Sequence, residues 1–214
     1  MNKEKKQNEK RIKIGIDIDD VLLHSLEDFL KFYNKKFNQK IKREQCVSDK
    51  RLHECFGITK EKLILLYKEY EQTDNPLNVE RIEGAERVLS KIKNECDFIL
   101  ITGRPETIEK QTRAVLNKKF PNHNFEVVFT NKDLSIKKNK GDVCVEKGVS
   151  LFVEDDWKNA LDCAKKEIHV LLLDKPWNKG VKHKNITRVY DWKEISEKIN
   201  RFNNKKLQQI KNKP

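Results

Sequence analysis

The stretch that decides the fold is IGIDIDDVL, residues 14–22, an apolar run that contains three carboxylates. At its start, isoleucines alternate with other residues at Ile12, Ile14, Ile16 and Ile18. Such a β-branched run is typical of a strand that is buried on both faces of a parallel sheet. The three carboxylates, Asp17, Asp19 and Asp20, are therefore expected where the first strand ends.

Asp17 and Asp19 are two positions apart, so on a strand their side chains point together into the crevice where open α/β folds bind ligands. Two carboxylates held together repel each other unless a cation lies between them, and such a pair suits a hard ion such as Mg2+. The structural alternative is that an acid after a strand caps the next helix, which Asp20 could do. An EF-hand loop is excluded, because Val21 stands where an acidic or amide ligand is needed.

Length and charge narrow the class of protein. The 214 residues suit one medium domain, or a core domain with a smaller insertion. Charged residues make up 37% of the chain, and its net charge of +12 favours anionic partners. Lysines are spread along the chain instead of alternating with aromatic residues, so nucleic acid is a permitted partner that no motif supports. A small phosphorylated molecule would be attracted equally well.

The cysteines and the apolar runs indicate the compartment. The five cysteines, none spaced as CxxC, are Cys46, Cys55, Cys96, Cys144 and Cys163. An odd number without that spacing predicts reduced thiols of a cytosolic protein, with neither a disulfide framework nor a zinc site. Residues 1–11 lack the apolar core of a signal peptide, and no apolar run approaches about 18 residues. We therefore expect a cytoplasmic protein without a membrane span.

The order of helical and strand patterns predicts the architecture. Buried strands are predicted at residues 12–18, 98–101, 125–129, 151–153 and 168–173 and around Val189, with amphipathic helices between them. Because each parallel crossover needs a helix, we predict an α/β fold: a Rossmann-like parallel sheet with helices on both faces. The segment from the first helix to about residue 81 shows helical patterns alone. It predicts a small α-helical cap inserted after the first strand.

The predicted segments are a charged N-terminal tail at residues 1–11, an α/β core at 12–24 and 82–202, a helical cap at 25–81, and a basic C-terminal tail at 203–214. The two tails are rich in lysine, asparagine and glutamine, and such polar termini are expected to fray.

Polar side chains follow four of the predicted strands. They are the pair Asp17 and Asp19; Thr102 with Gly103 and Arg104; the lysines Lys137, Lys138 and Lys140; and the acids Glu154, Asp155 and Asp156. In a parallel sheet these four strand ends lie at the same edge. A carboxylate pair, a hydroxyl beside a glycine, a cation and a second acid cluster together predict a site for a metal-bound phosphoryl group.

Each group has a predicted role in phosphoryl transfer. A phosphate monoester repels an anionic nucleophile, so the site must neutralise charge before a carboxylate attacks. Asp17 is the predicted nucleophile, and Asp19 is placed to protonate the leaving oxygen and later to activate water. Thr102 and the Gly103 amide are expected to hydrogen-bond the phosphoryl oxygens. A lysine would hold the remaining negative charge.

Three residues have more than one predicted role or competitor. Lys140 is favoured over Lys137 and Lys138 because it directly precedes a predicted short helix. Arg104 could bind phosphate or sugar, or form a salt bridge to solvent-exposed acids. Trp177 could stack on a base or pack beneath its loop, and packing is favoured.

Four segments resemble the motifs of the haloacid dehalogenase superfamily. They are DIDDV at residues 17–21, ITGR at 101–104, a lysine ahead of GDVC at 141–144, and FVED at 152–155. The resemblance implies Mg2+ held by Asp17 and Asp155, with a backbone carbonyl near Asp19. The superfamily's usual Asp-Asp pair appears here as Glu154-Asp155-Asp156, so Asp156 remains the alternative metal ligand. The second acid, Asp19, marks the superfamily's phosphatases and phosphotransferases.

Within that superfamily the chain is similar to the cytosolic 5'(3')-deoxyribonucleotidase group, in LITGRP at 100–105 and LLDKPWN at 172–178. This implies a Mg2+-dependent 5'-nucleotidase that acts on (deoxy)nucleoside monophosphates through an aspartyl-phosphate. Two alternatives stay open: a phosphatase of a sugar phosphate or other small monoester, and a non-catalytic protein with a basic binding surface. The retention of all four residue types at Asp17, Asp19, Thr102 and Asp155 argues against the second.

Overall fold

A computed structural model describes residues 11–46, 52–132 and 138–211, with side chains up to residue 204. Its centre is a six-stranded, fully parallel sheet with the strand order β3-β2-β1-β4-β5-β6. The strands are β1 (Ile12–Ile16), β2 (Cys96–Pro105), β3 (Glu126–Asn131), β4 (Leu151–Glu154), β5 (His169–Leu173) and β6 (Ile186–Val189). The predicted α/β fold with a parallel sheet is confirmed.

The helices that connect these strands are α1 (Ser25–Phe37), α2 (Leu52–Cys55), α3 (Lys60–Glu71), α4 (Asn75–Asn78), α5 (Ala85–Ile92), α6 (Glu109–Lys119), α7 (Lys140–Glu146), α8 (Trp157–Lys165) and α9 (Trp192–Lys211). Short 3₁₀ turns lie at Arg43–Gln45, Glu106–Ile108 and Pro176–Asn178. Helix α9 continues into the segment that was predicted as a basic tail. None of the helices in the described ranges combines the length and the hydropathy that a membrane span requires.

Apolar residues recur at helical spacing from Leu22 onward and predict a helix from there, but α1 begins only at Ser25. Leu22 and Leu23 are fully buried, yet they lie in the loop before α1. The chain turns at Asp20, whose φ of 55° is left-handed, and this ends the extended run. The Asp20 carboxylate then accepts a hydrogen bond from the backbone N–H of Leu26 in the first turn of α1, at 3.2 Å. Asp20 therefore supports this helix from outside its N-cap position.

Two apolar clusters cover the two faces of the sheet. The first joins Ile14 and Ile16 of β1 to residues of α5, α6 and α9. The second joins Phe152 of β4 to residues of α7 and α8. Helices on both faces are thereby confirmed. Because strand side chains alternate, Gly15 faces the second cluster between two isoleucines that face the first.

Gly15 leaves space for a neighbouring aromatic ring. A Cβ atom at this position would lie 2.6 Å from Phe152 Cδ2 and 3.1 Å from Val149 Cγ1. We expect Gly15→Ala to lower the free energy of unfolding by about 1–3 kcal/mol, because overpacking a closed core forces its side chains to shift. Urea unfolding measures this, with Gly103→Ala as the control, since a Cβ there meets nothing within 4 Å among the described residues. Equal stability of the two variants would contradict the packing argument.

The segment between β1 and α5 has its own apolar cluster. Helix α1 contributes Phe29 and α3 contributes Tyr67, whose rings stack with centroids 4.1 Å apart. Phe56 and Tyr70 meet Phe29 edge to face. The helical character predicted for residues 25–81 agrees with α1 to α4, and Trp177 from the opposite side packs against this cluster.

Candidate active site

Asp17 follows β1 directly at the carboxyl edge of the sheet and is 6% exposed. Its backbone N–H donates to the carbonyl of Val153, which extends the pairing of β1 with β4 by one residue (3.0 Å). In the side chain, Oδ1 accepts the backbone N–H of Ile18 at 2.8 Å, and Oδ2 lies 2.7 Å from Lys140 Nζ. These contacts fix the orientation of the carboxylate.

Lys140 is the first residue of α7 and is 4% exposed. Its ammonium bridges two carboxylates, at 2.7 Å from Asp17 Oδ2 and 2.9 Å from Glu154 Oε2. Lys138 instead lies on the surface and pairs with Glu146, and Lys137 falls outside the described residues. The structure thus places Lys140, the favoured lysine, beside Asp17.

The three acids after β4 have three different environments. Glu154 is fully buried, and its Oε1 accepts the backbone N–H groups of Asp155 and Asp156 at 2.9 and 3.0 Å. Asp156 is the N-cap of α8 and accepts the N–H groups of Lys158 and Asn159. Asp155 is buried and belongs, with Asp17 and Glu154, to a group whose ligand oxygens all lie within 4.8 Å of one another.

This group of three carboxylates fits a hard cation. Burial raises the pKa of Asp17 well above its ordinary value, the Glu154 carboxylate adds to the rise, and Lys140 opposes it. Burial also raises the pKa of Asp155 well above its ordinary value, with further repulsion from Asp20 and Asp17. Such shifts show that the ionised carboxylates are poorly compensated, and a divalent cation would compensate them.

Asp19 lies outside that group, and a different cation holds it. Arg104 contacts both of its carboxylate oxygens, with Nε 3.1 Å from each and Nη2 2.7 Å from Oδ1. The guanidinium also contacts Thr112 and Ser25. Although burial opposes it, the charge and hydrogen bonds of Arg104 lower the pKa of Asp19. Arg104 thus forms a salt bridge, as one of its two alternatives proposed, but the bridge is partly buried and its partner is a predicted catalytic acid.

Thr102 and Gly103 lie beside these acids where β2 becomes irregular. Thr102 is fully buried, its Oγ1 accepts the backbone N–H of Arg104 at 3.1 Å, and its carbonyl accepts the Thr130 hydroxyl at 2.9 Å. The register of β2 against β3 shifts between Thr102 and Pro105. Gly103 is exposed and faces a cavity.

That cavity, about 720 Å³ in volume, opens between the carboxyl edge of the sheet and the helices of residues 25–81. Asp19, Arg104 and Asp155 line it from the sheet side. Its aromatic lining residues are Tyr67, Tyr70, Trp157 and Trp177. The volume is within the usual range for small-molecule sites, and the lining combines polar groups with these aromatic side chains.

Two further contacts of the site, besides that of Arg104 with Asp19, were not predicted. Trp177, favoured as a packing residue, does pack on the neighbouring cluster, but its indole N–H also donates to Asp155 Oδ2 at 2.8 Å. Glu154 was expected to accompany Asp155, whereas its bond to Lys140 was not foreseen. The PWN loop at residues 176–178 was the signal available for Trp177, but a loop sequence does not show which strand end it approaches.

Comparison with solved structures agrees with this architecture. A haloacid dehalogenase-like protein of Agrobacterium tumefaciens matches with a TM-score of 0.62 at 18% identity, over 90% of this chain and 99% of that one. A candidate haloacid dehalogenase-type hydrolase of Bacillus subtilis, solved with bound magnesium, matches with a TM-score of 0.57 at 13% identity, over 89% and 99% of the two chains. These likenesses show that the chain shares its fold with haloacid dehalogenase-like proteins.

Sequence comparison is more specific. A family model described as "5' nucleotidase, deoxy (Pyrimidine), cytosolic type C protein" matches residues 10–207. A relative from Halalkalibacterium halodurans, named as a candidate nucleotidase, is 28% identical over 187 residues, which are 86% of this chain and 91% of the relative. The chain belongs to the type C 5'-nucleotidase family and is a hydrolase of the phosphatase and nucleotidase type.

Proposed function

We propose that this protein is a Mg2+-dependent 5'-nucleotidase that hydrolyses (deoxy)nucleoside monophosphates in the cytoplasm through an aspartyl-phosphate. The observation that supports this most directly is the Asp17 carboxylate, held by Lys140 and the Ile18 N–H beside the buried acids Glu154 and Asp155. A surface acid would not need a buried ammonium group beside it. A nucleophile that must approach a phosphate dianion needs this positive charge.

In the first step, an oxygen of the Asp17 carboxylate forms a bond to phosphorus and the bond from phosphorus to the ester oxygen breaks. A substrate phosphate that draws Arg104 away removes the contact that lowers the pKa of Asp19, and Asp19, once protonated, gives its proton to the departing oxygen. Lys140, within 2.7 Å of Asp17, offsets the charge of the nucleophile and the phosphoryl group. Thr102 and the Gly103 amide bind the phosphoryl oxygens.

In the second step, Asp19 accepts a proton from a water molecule, whose oxygen attacks phosphorus. The bond between phosphorus and Asp17 breaks, which releases inorganic phosphate and restores the carboxylate. The Arg104 guanidinium that contacts Asp19 also lines the cavity, so a phosphate group entering the site competes with Asp19 for this cation. Arg104 is thereby proposed as a substrate-binding residue.

The proposed ligands of Mg2+ are the carboxylates of Asp17 and Asp155 and a backbone carbonyl near Asp19. Glu154 lies in the same group, but its Oε2 contacts Lys140 and its Oε1 accepts two backbone N–H groups, which supports a role as their partner. Bound there, Mg2+ supplies positive charge that offsets the phosphoryl oxygens. The raised pKa values of Asp17 and Asp155 and the magnesium in the Bacillus subtilis hydrolase support this choice of cation.

The cavity supports a nucleotide as the substrate. Its lining includes Tyr67 from the cap and Trp157 from the core, which offer ring surface to a planar base, and Arg104, which offers a cation to the phosphate. We propose that residues 25–81 act as the cap that shields this chamber from water. The description of the matching family points to deoxynucleotides.

Phosphate release tests the proposal. The panel contains ribonucleoside and deoxyribonucleoside 5'-monophosphates and common sugar phosphates, each with Mg2+ and with EDTA. We expect turnover that depends on Mg2+ and favours nucleotides. Preference for sugar phosphates would keep the chemistry and change the substrate. No turnover by the folded protein with Mg2+ bound would contradict the nucleotidase proposal and favour a binding role.

A further inference from the structure

The side chain of Trp177 touches both sides of the cavity at once. Its indole N–H donates to Asp155 Oδ2 at 2.8 Å, and its ring packs against the apolar cluster of the cap segment. The bond to Oδ2 restricts rotation of the carboxylate that is proposed to bind Mg2+. Partners of this kind, which hydrogen-bond a metal ligand, set its orientation.

The loop that carries Trp177 is anchored to the core. Asn178 is fully buried and donates from Nδ2 to the carbonyls of Asp155 and Leu173, both at 2.8 Å. Its Oδ1 accepts from Lys175 N at 3.2 Å and from Arg188 Nη1 at 2.6 Å. The same loop therefore holds the main chain and the side chain of Asp155, so the indole is a fixed donor.

The cap holds Trp177 from the other side. Arg43, in the 3₁₀ turn of the cap, places its guanidinium carbon 5.1 Å from the centre of the Trp177 ring. Its Nη2 lies 3.7 Å from Asp20 Oδ1, an oxygen that is buried and accepts no hydrogen bond from the described residues. A guanidinium over an indole face is attractive, and Asp20 keeps the guanidinium in place. The cap and the core thus meet at a cation stacked on Trp177.

We infer that Trp177 is a positioning residue that orients Asp155 for Mg2+, and that Arg43 couples the seating of the cap to this orientation by holding the indole. The inference rests on the proposed metal site. The inferred role of Trp177 depends on two properties of the indole, and mutation can remove one without the other. The N–H serves Asp155, and the ring face serves Arg43.

The test is a double-mutant cycle on Mg2+ affinity, measured by calorimetry on the full chain without substrate. The variants are Trp177→Phe, which keeps a ring and removes the N–H, Arg43→Met, and their combination. We expect Trp177→Phe to weaken Mg2+ binding about tenfold, as is typical when a partner of a metal ligand is lost. Arg43→Met should weaken it about threefold to tenfold, the range of one cation–π contact. Both substitutions act through the indole. The fold loss of Mg2+ affinity in the double variant should therefore be smaller than the product of the two single losses.

The matched control is Trp157→Phe, an indole that lines the same cavity, with Mg2+ affinity expected within about twofold of the parent protein. Saturating Mg2+ should restore the kcat of Trp177→Phe, which a general packing defect would not allow. Unchanged affinity in Trp177→Phe would overturn the positioning role. Unchanged affinity in Arg43→Met, or simple multiplication in the double variant, would overturn the coupling. If Asp155→Asn binds Mg2+ with the affinity of the parent protein, the proposed metal site is wrong. This outcome distinguishes failure of the metal site from failure of the positioning role of Trp177.

Discussion

Asp17→Asn is expected to lose about 10^4-fold or more of kcat on every monoester that the protein hydrolyses, as happens when an enzymatic nucleophile is removed. An amide oxygen is a poor nucleophile toward phosphorus, so the aspartyl-phosphate cannot form. The Asn side chain retains an oxygen that can accept the Ile18 N–H now bound by Oδ1. The amide nitrogen then faces Lys140, so the contact with Lys140 is lost while the one with Ile18 is kept. Steady-state phosphate release measures the loss of kcat.

The stability of Asp17→Asn separates a chemical effect from misfolding. Burial raises the pKa of Asp17 well above its ordinary value, so its ionised form opposes folding at neutral pH. Lys140 keeps Glu154 as its partner in the variant. We expect thermal unfolding in EDTA at pH 7 to occur at the same temperature or higher. Full activity in Asp17→Asn would contradict the assignment of the nucleophile.

Lys140→Met is expected to lose both activity and stability. Removing a cation that faces the nucleophile should lower kcat about 10^2-fold to 10^3-fold, the cost of losing one electrostatic stabiliser. The change also leaves Asp17 and Glu154 buried without their shared partner, and breaking a buried pair costs about 3–5 kcal/mol. Urea unfolding in EDTA and phosphate release measure the two effects.

The stability loss in Lys140→Met should depend on pH. Burial raises the pKa of Asp17 and of Glu154, and the loss of Lys140 raises both further. An acid with a raised pKa in the folded state destabilises it increasingly as pH rises from the unfolded pKa through the folded one. The loss should therefore be smaller at pH 5 than at pH 8. Lys138→Met is the control, because Lys138 has an exposed side chain and contacts Glu146. Equal effects of the two substitutions would contradict the role of Lys140.

The sheet and the strand-end groups could be predicted because their signals are local. A β-branched run such as residues 12–18 is explained by burial on both faces, and parallel connectivity then brings the ends of β1, β2 and β4 to one edge. Periodicity did not show that Leu22 and Leu23 precede α1, since buried loop residues have the same composition as a helix face. The left-handed turn at Asp20 decides that boundary.

The contacts that complete the site were not predictable, because they join residues far apart in the chain. Arg104 contacts Asp19 across 85 positions, and Trp177 contacts Asp155 across 22. A single sequence shows which charged residues exist but not which pairs the packing brings together. Asp156 differs, because its carboxylate caps α8 through N–H groups only two and three positions along the chain, a local role that the sequence did not separate from metal binding.

The central claim is that Asp17 carries the phosphoryl group. We would mix the protein with Mg2+ and a nucleotide that it hydrolyses, quench within the first turnovers, and treat the sample with borohydride, which reduces an acyl phosphate to an alcohol. Mass spectrometry of the peptide that contains residues 14–22 then locates the change. We expect reduction at Asp17 that depends on substrate and is absent from Asp17→Asn. Active turnover with unmodified Asp17, or modification at another carboxylate, would contradict it.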